Sequence, residues 1–385
     1  MKVSGVETYA VKLPSRRAHS WSTSTGSIGS YVILKLLTDD GVVGLGESPM
    51  FIDWSGDHQR YSGESAITVK HVIADYLLPA IEGEDVFAIE RIHEKMDRVC
   101  KGHFYAKAAV DIALYDAMGK ALGTPVYNLL GGAYRSEVPL AHSLGVLLTP
   151  KECAAEADTV VQEGIKTVKL KVGLDESRDV TAVREVRQAI GPSIELTLDV
   201  NQAWPTPKHA IQMIRKLESY DIAFVEQPCD GLEALAQIAQ AVETPIMADE
   251  SAWSPFDALA LARERAADYI SLYTTKPGGL FRAKKVAAVA EAAGMRCNVN
   301  GSAESGVGNA ANLHLIAALR IVDLANVIPV TATAAHAPTR VGGRYYTDDI
   351  VTEPFAYRDG FLRVPEAPGL GVTLDEAKLK KYSIV

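Results

Sequence analysis

Four β-type runs end in groups that could do chemistry: Lys169-Leu170-Lys171, Asp199-Val200-Asn201, Glu226-Gln227-Pro228 and Asp249-Glu250-Ser251. Side chains alternate along a strand, so Lys169 and Lys171 share one face, and so do Asp199 and Asn201. The apolar neighbours Val168, Leu170 and Val172 suit an outer face covered by helices, which turns the two lysines inward. Asp199, Glu226 and Asp249 end consecutive runs 27 and 23 residues apart. Singly, each could cap a following helix. At one level of three neighbouring strands they would repel one another, and a hard cation relieves that repulsion. With only oxygen donors, and water and substrate to complete the shell, Mg2+ or Mn2+ fits better than zinc. Glu250 stands beside this trio as a supporting group. Two ammonium groups held close and partly desolvated should each lower the pKa of the other, which makes Lys171, nearer the strand end, a candidate base. Lys169 would tune it and touch the substrate. A base facing a divalent metal points to removal of a proton α to a carboxylate, where positive charge stabilises the enediolate.

These residues need a scaffold that brings strand ends together. From Pro139 onward, β-type runs begin near residues 139, 167, 194, 222, 244, 269, 295 and, less clearly, 322, separated by amphipathic stretches such as 178–190, 207–219, 255–266 and 280–293. Eight regular β/α repeats predict a parallel barrel, with functional groups at the C-terminal strand ends. The eighth unit lacks a helix of its own. Residues 1–125 predict an α+β domain instead. Runs 29–38 and 41–46 flank the hairpin signal Asp39-Asp40-Gly41, run 2–13 joins them as a meander, and helices follow near 64–80, 86–98 and 104–122. The Ser-, Thr- and Gly-rich segment 14–29, anchored by Trp21, is too long for a tight turn and reads as a lid. Residues 356–385 hold no further β/α unit and are expected to pack back on the first domain, leaving 126–355 as the barrel.

Composition narrows the function. The chain has 385 residues, 39 Lys+Arg against 48 Asp+Glu, a net charge of −9 and 48% hydrophobic residues. That is a folding composition with no electrostatic footprint for nucleic acid. No stretch resembles a bilayer span or an export signal, so a cytoplasmic protein is expected, with no membrane partner. The scattered Cys100, Cys153, Cys229 and Cys297 suit reduced core thiols. The Asn300-Gly301-Ser302 sequon therefore carries no glycosylation meaning. Homo-oligomerisation is expected.

The stretch AKAAVDIALYDAMGKALGTPVYNLLGG (106–132), followed in order by KLK, DVNQAW, EQP, ADES and NGSAESGVG, resembles the muconate lactonizing subgroup of the enolase superfamily over essentially the whole chain. The resemblance implies a capping domain over a modified (β/α)7β barrel, completed by the C-terminal segment. It also implies one Mg2+ on Asp199, Glu226 and Asp249, Lys171 as acid/base on one face of the substrate, and Glu304 in the site. Capping loops near 15–29 and 50–56 would set substrate choice.

Two departures bear on the reaction. The family pattern has an Asp opening the sixth strand and, five residues on, a Lys that serves the opposite face; here Asp268 is followed at that distance by Tyr273, with Lys276 three residues later. The His-with-Asp alternative of mandelate racemase is absent too, since Asn298 and Asn300 occupy the seventh strand and His314 lies on the next helix. The Asp-x-Asp by which dipeptide epimerases hold an amino group is replaced by Leu324-Ala325-Asn326-Val327-Ile328-Pro329, which argues against an α-ammonium substrate. Candidate substrate contacts are Asn201, Asn298 and Asn300 and, in the capping loops, Arg16, Arg17, His19, Trp21, Phe51 and Trp54. The expected function is a cycloisomerase or syn-β-eliminating lyase acting on a small carboxylate, because each needs a base on one face only. The alternatives are a racemase or epimerase using Lys276 or Tyr273 as second base, and a non-catalytic, metal-dependent carboxylate-binding protein. A Schiff-base aldolase would have no use for three convergent carboxylates.

Overall fold

A computed structural model describes residues 1–23, 28–301, 303–331 and 339–384. The chain opens with β1 (Val3–Lys12), β2 (Ser30–Thr38) and β3 (Val43–Pro49), an antiparallel meander in that order. The hairpin forms where Asp-Asp-Gly predicts it. Gly41 takes φ +84°, and the Thr38 hydroxyl donates to Asp40 Oδ1 at 2.6 Å. Helices α1 (Ala66–Val72) and α2 (Leu78–Ile81) are joined by a π-helical turn over Ile73–Leu77, and α3 (Ile89–Val99) and α4 (Phe104–Leu122) come next. Almost every residue of α4 from Tyr105 to Gly119 is buried. The helix is clasped between the meander, where Leu45 N donates to Asp116, and the barrel, where Leu280 N donates to Asp111. Gly44 and Gly46 make this possible. A Cβ on either would lie about 2 Å from the carbonyl oxygens of Ala113 and Ala109, so only glycine lets β3 lie this close to the helix.

After a short α5 (Val126–Leu129) and β4 (Glu137–Pro139), a strand of a separate small antiparallel sheet, the chain enters the parallel sheet through β5 (Ala141–Leu144). It then alternates α6 (Pro150–Gln162), β6 (Thr167–Lys171), α7 (Glu176–Ile190), β7 (Glu195–Asp199), α8 (Pro207–Leu217) and β8 (Ile222–Glu226). The series ends with α9 (Leu232–Ala239), β9 (Ile246–Ala248), α10 (Pro255–Glu264), β10 (Tyr269–Leu272), α11 (Leu280–Ala292), β11 (Arg296–Val299) and α12 (Gly306–Ala318). Thr149 and Ser254 close capping boxes with Glu152 and Asp257, and proline at the first turn of α6, α8 and α10 supplies a residue with no N–H to leave unpaired.

Strands β5 to β11 pair in sequence order as one seven-stranded sheet. The weak eighth run is not a full strand. It is reduced to parallel bridges, Cys297 to Val322 on one edge and Leu140 to Asn326 on the other, which close the ring. Asn326 is the clasp: its Oδ1 accepts from Val299 N at 2.7 Å and its Nδ2 donates to the carbonyls of Leu324 and Pro139. With α12 preceding this segment and no helix of the repeat after it among the described residues, the architecture is a (β/α)7β barrel under a capping domain.

The last segment serves both parts. Strand β13 (Phe361–Arg363) pairs with β4 at the barrel and with β12 (Tyr357–Arg358) on its other side, whereas α13 (Glu376–Tyr382) lies on the meander, where Lys35 meets Glu376 at 2.7 Å and Ile384 N donates to Ala10 O. All four cysteines are free thiols, three of them buried. Among the described residues no helix is long and apolar enough to cross a membrane.

Candidate active site

The parallel register sets the site. Lys171 pairs with Asp199, and Asp199 with Glu226, so three charged side chains leave β6, β7 and β8 at one level of the barrel mouth. Asp249 comes directly after β9. Its position is fixed by Gln227, whose Oε1 accepts from the backbone N–H of Asp249 at 2.8 Å and of Ser251 at 3.1 Å. The turns here take unusual backbone: Asn201, Gln202, Gln227 and Ala303 all have positive φ, a conformation that costs energy for side-chain-bearing residues and clusters at functional sites.

The charges interlock. Lys171 Nζ lies 2.6 Å from Asp199 Oδ2 and 2.7 Å from Asn201 Oδ1, and Asn201 Nδ2 in turn donates to Glu250 Oε1 at 3.0 Å. Lys169 Nζ stands between Glu226 Oε2 at 2.6 Å and Asp199 Oδ2 at 3.3 Å. Burial alone would lower the Lys169 pKa, but Glu226 and Asp199 more than reverse this and raise it. The expectation that the two lysines depress one another is thus corrected for Lys169: the nearest charges are carboxylates, and they hold it as an ammonium ion. The carboxylates respond in opposite ways. Burial would raise Asp199, yet Lys171 and Lys169 bring it below the usual range, whereas burial and the neighbouring Asp199 and Asp249 push Glu226 up to about 8. Glu250 is raised well above its ordinary value by burial, then by Asp249 and Asp199.

Among the described residues, no group of three or more His, Cys, Asp or Glu is drawn together as a ready-made metal cage. The donor chemistry nonetheless suits a hard cation. Three buried carboxylates supply only oxygen, and Glu226 Oε2 makes no hydrogen bond even though the Lys169 ammonium is close by. A divalent ion held by Asp199, Glu226 and Asp249 would take over the neutralisation that Lys169 provides here.

A cavity with about 630 Å3 of empty space, its open mouth included, lies over these groups. Lys169, Lys171, Asp199, Asn201, Asp249, Tyr273 and Asn300 form its floor and walls, and His19, Trp21, Phe51 and Trp54 cover it from the capping domain. Lys171 Nζ sits 6.0 Å from the Trp21 ring centre. Four strands round a ring of eight, the wall facing β6 is β10, and Tyr273 occupies it. Burial, then Asp249, Glu226 and Glu250, raises the Tyr273 pKa well above 10, and its hydroxyl donates to Asp249 Oδ2 at 3.2 Å.

Several sequence candidates fall outside this wall. Lys276 is fully buried behind Tyr273, with Nζ 4.2 Å from that ring's centre, and it donates to Asp249 Oδ1 at 2.6 Å, Asp249 O at 2.8 Å and Ser271 O at 2.9 Å. Its three protons are all used, so it braces Asp249 rather than reaching into the cavity from the loop. Asn298 turns to Asn300 Oδ1 and the Ala325 carbonyl, while Asn300 itself donates to Glu226 Oε1 at 3.1 Å. Glu304 is buried behind Gly301, which lines the cavity in its place. Arg16 and Arg17 both pair with Glu156, at 3.2 and 2.6 Å, off the cavity wall. The lid segment 14–29 is described except for residues 24–27, which lie outside the described residues together with Ser302 of the NGSAESGVG match.

Other residues of the site had little or no signal in the sequence. Gln227 lay inside the EQP motif without an assigned role. Asp57, from the capping domain just after the loop 50–56, accepts from Ser251 Oγ at 2.8 Å and Gly231 N at 3.1 Å, tying that loop to the barrel mouth. Glu47, at the end of β3, accepts from Ser305 N and Gly308 N at the start of α12. Ser143 and Tyr345 line the cavity, and neither stands in a quoted motif.

The comparisons with known proteins agree with this architecture. Residues 4–131 match the model for the mandelate racemase / muconate lactonizing enzyme N-terminal domain, and residues 152–378 match that for the enolase C-terminal domain-like family. The chain belongs to the enolase superfamily, in its muconate lactonizing enzyme subgroup. It is 33% identical to N-succinyl-L-Arg/Lys racemase from Bacillus cereus, over all of this chain and 98% of the relative, and 34% identical to muconate cycloisomerase 1 from Rhodococcus opacus, over all of this chain and 99% of the relative. The crystal structure of the Bacillus cereus racemase aligns with a TM-score of 0.90, covering 100% of this chain and 99% of the other. Dipeptide epimerase from Enterococcus faecalis, in complex with Mg and the dipeptide L-Leu-L-Tyr, aligns with a TM-score of 0.86 at 34% identity, covering 97% and 100%. These relatives include enzymes of two kinds, cycloisomerases and racemases or epimerases.

Proposed function

We propose that this protein is a Mg2+-dependent enzyme that moves a proton α to the carboxylate of a small substrate, with Lys171 as its one acid/base, and that it is a cycloisomerase or a syn-β-eliminating lyase. The observation that carries the choice is the asymmetry of the cavity: a lysine on the β6 wall faces a phenol on the β10 wall, with Lys276 locked behind it. When bound by Asp199, Glu226 and Asp249, the cation supplies the positive charge against which negative charge on the substrate carboxylate can grow. Lys171 then takes or returns the α-proton from one face, and Asn201 and Asp199 hold its Nζ at the cavity wall. Lys169, kept as an ammonium ion, offers a second positive group at the carboxylate end. Trp21 and Trp54 exclude water from above. Tyr273, a phenol with a raised pKa, is a poor base near neutrality but a competent hydrogen-bond donor.

In deuterium oxide, a carboxylate accepted by the enzyme is expected to take up one deuterium at the α-carbon with retention of configuration, read by NMR and chiral chromatography. The kinship with racemases supports a second reading, in which Tyr273 serves the opposite face. Inversion that disappears in Tyr273→Phe would establish that reading in place of the first. The metal assignment has its own check: Asp249→Ala should weaken Mg2+ or Mn2+ binding at least about tenfold in a calorimetric titration. Unchanged affinity would remove Asp249 from the metal site.

A further inference from the structure

The charged side chains lining the cavity are Lys169, Lys171, Asp199 and Asp249, all gathered at the reacting end. Trp21 lies next to Lys171, and the remaining lining residues His19, Ile28, Phe51, Val327 and Tyr345, which make up the remote end, carry no fixed charge. Both arginines of the lid are bound to Glu156, which also accepts from His142 Nε2 at 2.8 Å. His19 is 7% exposed and packs edge-on to Tyr345 at 5.1 Å between ring centres. Burial, then Lys171 and Arg17, lowers its pKa to about 3, so it is a neutral imidazole at neutral pH. Residues 24–27, 302, 332–338 and 385, outside the described residues, include no Lys, Arg, Asp or Glu in the sequence.

The passage from the reacting end to the remote end is not wholly apolar, since Ser143 is the strand partner of Lys169 and Trp21 lies against Lys171. His19 Nδ1, the Trp21 indole N–H and the Ser143 hydroxyl are buried and make no hydrogen bond among the described residues, although all three belong to side chains lining the cavity. Buried polar atoms without partners are costly, and a ligand that supplies the partners removes that cost. The set asks for one neutral group that both accepts and donates, which is the chemistry of an amide or a hydroxyl. Around it the surfaces are aromatic and aliphatic, with Trp21 against Phe51 at 5.5 Å and Trp54 against Tyr273 at 5.4 Å between ring centres.

We infer that the substrate is a monocarboxylate whose remote part is uncharged and apolar or aromatic, joined to the reacting end through a neutral hydrogen-bonding group that meets Trp21, Ser143 and His19. This inference rests on the cavity being the substrate site of the proposed reaction. A second carboxylate or a terminal ammonium would enter the remote end with no opposite charge to meet it and would forfeit its hydration. Dicarboxylates and cationic side chains are thereby excluded as preferred substrates.

The test uses the Mg2+-loaded protein and three matched compounds: N-(3-phenylpropanoyl)alanine, N-succinylalanine and N-(4-aminobutanoyl)alanine. Binding is read from tryptophan fluorescence and α-proton exchange from deuterium uptake. The phenyl compound should bind at least about tenfold more tightly than either charged one. Trp21→Phe, which keeps the ring and loses the N–H, should weaken the phenyl compound three- to tenfold. Equal or tighter binding of a charged compound overturns the inference, and so does failure of the phenyl compound to bind at millimolar concentration. Exchange separates the two readings: the expected order of binding with no exchange, on these compounds or on a wider panel of carboxylates, faults the proposed reaction and leaves the remote-end inference standing.

Discussion

Lys171→Ala is expected to lower the rate of α-deuterium exchange by about 10²- to 10⁴-fold while leaving the protein folded and able to bind Mg2+. The range is that of a positioned acid/base group whose removal leaves binding and electrostatic stabilisation in place. Two features of the structure make the variant informative. Lys171 is a wall residue of the cavity and fills no core volume, since the outer face of β6 is packed by Val168, Leu170 and Val172, all fully buried. Its loss also frees Asp199 Oδ2, a proposed metal ligand, from one of the two lysine Nζ groups that compete for it. Metal affinity should therefore hold or rise as exchange is lost. Lys169→Ala separates the roles, because Lys169 sits between Glu226 and Asp199 and not alone at the wall. It should raise KM for the carboxylate more than it lowers kcat. Wild-type exchange in Lys171→Ala, on a substrate found by screening, would end the proposed mechanism.

How much of this could be read from the residues varies from part to part, for physical reasons. The strand ends were legible because a parallel barrel gives each β/α unit the same polarity, so position in the repeat fixes position in space. Lys171, Asp199 and Glu226 therefore pair at one level of adjacent strands and Asp249 follows the next, although among the described residues the carboxylates are not drawn into a ready-made cage. The missing eighth strand was half visible: the run at 322 was weak, and the clasp that replaces it is one side chain, Asn326, whose bonds to Val299, Leu324 and Pro139 have no period to betray them. The capping domain's share was least legible. Asp57 and Glu47 reach barrel groups about 200 or more residues away in sequence, at Ser251 and Ser305, and nothing local to either residue marks it as an anchor. Arg16 and Arg17 show the converse failure, since their charge suggested a substrate contact and Glu156, on a helix of the barrel, takes both.

Lys276→Met is expected to destabilise the protein by about 3–5 kcal/mol and to leave the stereochemistry of exchange unchanged. The side chain is fully buried, and its ammonium satisfies Asp249 Oδ1 together with the carbonyls of Asp249 and Ser271. Methionine matches the volume and supplies no donor, so it leaves a buried carboxylate oxygen and two carbonyls short of a partner in surroundings that already repel charge. The Tyr273 ring would also lose the cation 4.2 Å from its centre. A base serving the opposite face would behave differently. Its loss would abolish inversion while costing little stability, because a catalytic lysine must present a free nitrogen to the substrate. Lys276→Arg sharpens the contrast: guanidinium keeps the charge but cannot fit three bonds arranged round a single nitrogen, so stability should recover only in part. Chemical denaturation measures the first effect, and chiral analysis of exchange in the fraction that remains folded measures the second. Added Mg2+ should restore part of the lost stability, because a cation bound to Asp249 neutralises the charge that Lys276 no longer meets, and stabilisation by a ligand grows with the logarithm of its concentration above Kd. A fully stable Lys276→Met protein that has lost the power to invert its substrate would move Lys276 from brace to base and restore the racemase reading.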